Sequence, residues 1–201
     1  MKGEGIFIQL KDVALEAWEN KQGMKERYQR MAAARKYMRN KGPEITPRFI
    51  LLHTLAHLLI RELILQCGYS SAAIKERIYS TFDDKDGSLP MAGILLYTSS
   101  NDSEGSLGGL VRMGEADRFE DIIRGMLENA SWCSADPLCI QSSGQGIDAL
   151  NYAACHSCTL LPETSCEARN CYLDRATVAG TLDNRSTGYF SNILNQGTGN
   201  K

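Results

Sequence analysis

Cys133-Ser-Ala-Asp-Pro-Leu-Cys139 and then Cys155-His-Ser-Cys158, followed by Cys166 and Cys171, carry six of the seven cysteines of this 201-residue chain. Each short spacing lets a single turn aim two sulfurs at one point. The Gly- and Ser-containing stretch between the pairs brings the second round to face the first, as in a tetrahedral thiolate site for zinc. Five residues, Cys133, Cys139, Cys155, Cys158 and Cys166, compete for four ligand places. Cys171 reads as lying on a helix and Cys67 ends a distant one. His156 sits between two ligands, where it could replace a thiolate but is better suited to a supporting hydrogen bond. A thioredoxin-like Cys-x2-Cys opens a helix directly after a strand, whereas Cys155 follows the loop-like Gly144-Gln-Gly146 and precedes Pro162. Redox chemistry is therefore not expected. Nor is a disulfide-stapled secreted domain, because the cysteines crowd one end and no apolar signal core follows Met1. The expected location is the cytoplasm.

Outward from the cysteines, the rest of the chain has ordinary globular composition, with 43% hydrophobic and 23% charged residues. The net charge of -2 conceals a basic segment: Lys21 to Arg48 holds nine basic residues against two glutamates. Arg27, Arg30, Arg35, Lys36 and Arg39 are the candidate nucleic-acid contacts, although they do not form one clean stripe.

The strongest helix signal runs from Thr46-Pro47, a hydroxyl N-cap before proline at the first helical position, to about Gln66, with Gly68 as the stop. It is apolar nearly all round and is expected as the central buried helix. Its uncharged run ends at Arg61 after about twelve residues, short of the ~20 a bilayer needs, so no membrane span is expected. His53 and His57 lie one turn apart on it. Thr54 stands where a His-Glu-x-x-His metalloprotease has its glutamate, so these are expected as hydrogen-bonded core histidines.

Gly5–Leu10 and Met91–Tyr97 read as strands that could pair. Asp12–Arg39 reads as helical, with Gly23 as a candidate break. Ser70 or Ser71 is expected to cap a short helix reaching Ser80, and further helices are expected over Glu115–Ala130 and Glu167–Ala179, before a frayed tail from Asn195. The Gly-rich loop Thr98–Gly109 matches neither the dinucleotide fingerprint nor the P-loop. Asp102 and Glu104 are expected to cap the next helix, and a His57–Asp102 hydrogen bond would tie that loop to the central helix. The fold class is α+β: a helix-rich domain around a central buried helix, with a small β-sheet and a C-terminal cysteine zinc lobe. The expected organisation is a core over 1–131, a zinc lobe over 132–180 packed on it, and a tail over 181–201.

Several segments together resemble a known family: Leu52-His-Thr-Leu-Ala-His57-Leu-Leu, Gly93-Ile-Leu-Leu-Tyr97, Asp102-Ser-Glu-Gly-Ser-Leu-Gly-Gly109, Cys133-x2-Asp136-Pro137-x-Cys139, Ala154-Cys-His-Ser-Cys158, and Glu163-Thr-Ser-Cys166-Glu167 with Leu173-Asp174-Arg175. The chain is similar, from about Gly3 to Phe190, to the zinc-binding C-terminal domain shared by Mrf-type DNA-repair helicases and DrmB proteins of DISARM anti-phage systems, and closer to the DrmB branch. The resemblance implies a non-catalytic, cysteine-bound zinc domain acting beside a helicase subunit of the DrmA kind on DNA, with no small-molecule substrate. The chain has no ATPase motif, so helicase activity does not carry over. The alternative is a nuclease or hydrolase using His53, His57, Asp102 and Glu104, which requires those four side chains to converge in a cleft.

Overall fold

Thr46 opens the helix that organises the molecule. In the computed structural model, which describes residues 3–38, 42–81, 90–98 and 109–197, the Thr46 hydroxyl accepts the Phe49 N–H at 3.0 Å. Pro47 supplies the first helical position, and Gly68 ends the helix in the left-handed region at φ 71°. The element order is β1 (Gly5–Gln9), α1 (Asp12–Glu19), α2 (Gln22–Arg35), α3 (Pro47–Cys67), β2 (Ile74–Tyr79), β3 (Gly93–Thr98), α4 (Gly109–Met113), α5 (Ala116–Ser131), α6 (Ala176–Ala179) and α7 (Ser191–Gly197). Every residue of α3 from Arg48 to Ile60 is buried.

Two charged side chains on α3, Arg48 and Glu62, are buried with partners, as desolvation requires. Arg48 meets Glu19 at 3.2 Å. Glu62 accepts from Gln66 at 2.7 Å and from Asn129 at 2.8 Å. Among the described residues α3 is the one helix long and apolar enough to cross a bilayer, and it is enclosed by the rest of the fold.

The sheet has the order β1-β3-β2 and is antiparallel throughout. The two strands expected to pair do so, with Ile6 opposite Leu96 and Ile8 opposite Ile94. The third strand, β2, is a correction, since Ser70–Ser80 reads in sequence as a short helix. Ile74-Lys-Glu-Arg-Ile-Tyr79 alternates buried and less buried positions, and Ile74, Glu76 and Ile78 all turn inward against α3. A two-residue period wins over the helical one because the open edge of β3 offers a full ladder of hydrogen bonds.

Helices α1 and α2 divide at Asn20–Lys21, not at Gly23, which lies inside α2. A Cβ on Gly23 would come within 2.8 Å of the Thr187 methyl, so that glycine serves close approach of the chain end. Helix α5 follows the expected pattern, burying Ile122, Met126, Leu127 and Ala130.

The helix expected over Glu167–Ala179 shrinks to α6. Arg169, Asn170 and Tyr172 have positive φ, and backbone groups here bond to residues 150–153 instead: Tyr172 N to Leu150 O, Tyr152 N to Leu173 O, and Arg175 N to Ala153 O. Side-chain amides outcompete the local helix. Asn151 bridges the Asn170 carbonyl and the Leu173 N–H. Leu150, Tyr152, Leu161 and Val178 share one core with α3. Asn195–Gly197, expected as frayed tail, complete α7.

Candidate metal centre

Cys133 ends the approach from α5, and the next six residues make a tight knuckle around the Asp136 carboxylate. Asp136 accepts the backbone N–H of Cys133 at 2.9 Å and that of Ile140 at 3.0 Å. The same carboxylate receives both bonds of a forked contact from Arg175 Nη2, at 2.7 and 2.9 Å. Arg175 is fully buried and also donates to the Ala130 carbonyl at 2.8 Å. Its chain neighbour Asp174 takes Arg27 at 2.7 Å, and the Asp174 backbone N–H donates to Thr54 Oγ1 at 3.0 Å on α3. Asp136, Asp174 and Arg175 thus fix the first knuckle, the 150–153 segment and the central helix to one another.

Cys155 and Cys158 form the second knuckle, with the Cys158 N–H returning to the Cys155 carbonyl. The sulfurs of Cys133 and Cys155 lie 3.5 Å apart, those of Cys155 and Cys158 3.6 Å, and those of Cys139 and Cys158 3.7 Å. All four lie within 4.8 Å of one another. Four thiolates on a tetrahedral zinc with Zn–S of about 2.3 Å stand about 3.8 Å from each other. The observed spacings are close to that, and far beyond the ~2.05 Å of a disulfide. All seven cysteines are free.

The thiols of the cage are set apart from one another in acidity, and burial pushes Cys133 up. Hydrogen bonding from Cys139 holds the Cys158 thiol down to about 4, against burial, with help from the Thr159 hydroxyl, the Cys155 N–H and the Arg175 charge. Cys139, the other half of that shared bond, is pushed up. The Ala135 N–H donates to Cys133 Sγ at 3.4 Å and the Thr159 hydroxyl to Cys158 Sγ at 3.2 Å.

The matching family model is the MrfA Zn-binding domain, over residues 55–159. The chain belongs to the MrfA Zn-binding domain family. Its match begins on α3 and closes just past Cys158, so all four clustered cysteines fall inside it. Zinc is the ion that both the family and the tetrathiolate donor set support. The chain is also similar to the DISARM protein DrmB of Bacillus paralicheniformis, with 41% identity over 198 residues, 96% of this chain and 34% of that protein. It therefore spans about a third of that relative's length.

Cys166, the fifth sulfur expected to compete, does not join the other four. It stands against α3, 3.2 Å from His53 Nε2. His156 is exposed, and Cys171 belongs to the main core. His53 and His57 are both fully buried, and each ring has a partner in the core, His57 Nδ1 donating to the Thr159 carbonyl at 3.1 Å. Asp102 and Glu104, and with them the expected His57–Asp102 bond, lie outside the described residues.

Of the candidate nucleic-acid contacts, Arg27 is turned onto Asp174 and over the Tyr152 ring, and Arg35 bonds the Pro43 carbonyl at 2.6 Å. Arg30 and Lys36 are exposed, and Arg39 lies outside the described residues. Glu76, Asp136 and Arg175 were not singled out as site residues from sequence. The signal for Glu76 is an acid centred between Ile74 and Ile78 at strand spacing.

Proposed function

We propose that this chain is a non-catalytic zinc domain of a DISARM-like anti-phage system, with Cys133, Cys139, Cys155 and Cys158 as the four ligands, working in the cytoplasm beside a helicase partner on DNA. The observation that carries the reading is the closed tetrathiolate cage riveted to the core through Asp136 and Arg175. Zinc held there supplies a cross-link and, with four protein thiolates around it, no open position for a water nucleophile. The chain's own residues do the remaining work. Asp136 shapes the first knuckle, Thr159 steadies Cys158, and Arg61 bonds the His156 and Ser157 carbonyls of the second knuckle to α3. Free thiols in these numbers suit a reducing compartment. The similarity to DrmB supports the defence role, and the exposed Arg30 on α2 and Lys36 at its C-terminal cap support a DNA contact.

The nuclease alternative is not favoured, because His53 and His57 are fully buried among the described residues. Co-purification of the chain with the products of its neighbouring genes, with zinc measured on the same sample, tests the proposal. A helicase in the pull-down with zinc in the chain is expected. A chain that purifies alone, or that cleaves nucleic acid unaided, overturns it.

A further inference from the structure

Four ionisable side chains outside the tetrathiolate cage converge on one point in the interior. His53 and His57 come from α3, Glu76 from the middle of β2, and Cys166 from the turn after Ser165. One donor atom from each lies within 4.8 Å of the others, and all four residues are buried. His53 Nε2 is 3.1 Å from Glu76 Oε1 and 3.2 Å from Cys166 Sγ, and His57 Nε2 is 3.5 Å from Glu76 Oε1. We propose that His53, His57, Glu76 and Cys166 form a second zinc site, distinct from the tetrathiolate cage and enclosed between α3 and β2.

Three observations lead there. First, the spacing suits an ion. Nitrogen and oxygen ligands at about 2.0–2.1 Å on a tetrahedral centre stand roughly 3.3 Å apart, with somewhat longer edges to sulfur. Second, the cluster is unsatisfied without one. Among the described residues, His57 Nε2 and Glu76 Oε2 are buried with no hydrogen-bond partner, although buried polar groups are generally paired. An ion at the centre takes the His57 Nε2 lone pair and lies against the carboxylate. Third, the outer contacts orient the donors inward. His57 gives its other ring N–H to the Thr159 carbonyl, as metal-bound histidines do. Cys166 Sγ accepts the Asn170 N–H at 3.1 Å, and Glu76 Oε1 accepts the Glu167 N–H at 3.3 Å.

Charge and donor type select the ion. A divalent cation with one thiolate, one carboxylate and two neutral imidazoles is electrically neutral, which removes the penalty of burying net charge. Imidazole and thiolate together suit zinc and not magnesium or calcium, which take oxygen. Four protein ligands in a closed interior make the site structural. It pins the Glu163–Glu167 segment onto the edge of β2, where Glu167 also accepts the Ile78 N–H at 3.1 Å. Thr159 joins the two sites, its hydroxyl on Cys158 and its carbonyl on His57.

Zinc is measured on the intact chain, purified from zinc-supplemented growth and passed over a chelating resin, together with X-ray absorption at the zinc edge. Two zinc ions per chain are expected, sharing five sulfur and three nitrogen or oxygen ligands. Cys166→Ser, which leaves the tetrathiolate cage untouched, is expected to lower the count to one, with an all-sulfur spectrum. One zinc with four sulfurs in the unaltered chain overturns the second site and leaves the first. One zinc with mixed ligands overturns the tetrathiolate reading and keeps this one. If Cys166→Ser does not fold, the count and spectrum of the unaltered chain decide alone.

Discussion

Replacing Arg175 by Met keeps most of its volume and removes its charge from a fully buried position. The loss has two parts: the forked contact to Asp136 at 2.7 and 2.9 Å, and the bond to the Ala130 carbonyl at 2.8 Å. Removing one partner of a buried ion pair costs about 3–5 kcal/mol. Asp136 keeps two backbone N–H donors, from Cys133 and Ile140, and its side chain is 11% exposed, so it is not stranded. That places Arg175→Met near the lower end, about 3 kcal/mol, or roughly 6–12 °C in Tm for a chain of this size. Asp136→Asn is expected to cost more, because the guanidinium stays charged with no exposure at all. The double variant, with neither charge, should recover about 1–3 kcal/mol of the summed losses. Urea unfolding at fixed, saturating zinc, followed by tryptophan fluorescence, measures all three, with the midpoint read at constant slope. Trp132 lies next to Cys133 and reports the knuckle. A loss below about 1 kcal/mol for Arg175→Met, or strict additivity in the double variant, refutes the claim that this pair fastens the knuckle to the core.

Three further outcomes are expected. Stripping zinc with a strong chelator should expose the backbone of residues 133–160 to hydrogen exchange before that of β1 and β3, since a structural thiolate site contributes about 10–16 kcal/mol to holding its own segment folded; uniform exchange across the chain contradicts this. Thr46→Ala removes the cap on Phe49 N and should cost about 1 kcal/mol in urea unfolding. If the chain binds duplex DNA through α2, Arg30→Ala/Lys36→Ala should reduce the slope of log affinity against log salt by about 1.8, roughly 0.9 for each phosphate left without its cation, and an unchanged slope rules those residues out.

Much of the core was legible because its signals were local. The Thr46-Pro47 start and Gly68 stop of α3, the apolar runs of β1 and β3, and the amphipathic α5 each depend on neighbours in sequence. What escaped depended on distant partners. β2 carries helix-tolerant residues, and only the edge of β3 makes Ile74-Lys-Glu-Arg-Ile-Tyr79 a strand. Reading it as a helix hid Glu76, since helical spacing gives no reason to turn that acid inward with Ile74 and Ile78.

The segment after Glu167 failed for a related cause. Its backbone is claimed by residues 150–153 and by Asn151, contacts made across about twenty residues of chain. In the metal centre, spacing marked the two knuckles, but nothing in spacing separates Cys166 from the other sulfurs. Its place beside α3 follows from Glu167 bonding to β2, and therefore from the strand that was missed.

A diffraction map phased on the anomalous signal at the zinc edge tests the central claim most directly. The account predicts a peak within the sulfurs of Cys133, Cys139, Cys155 and Cys158, about 2.3 Å from each. No peak there, or a zinc that takes Cys166 in place of one of those four, would contradict it.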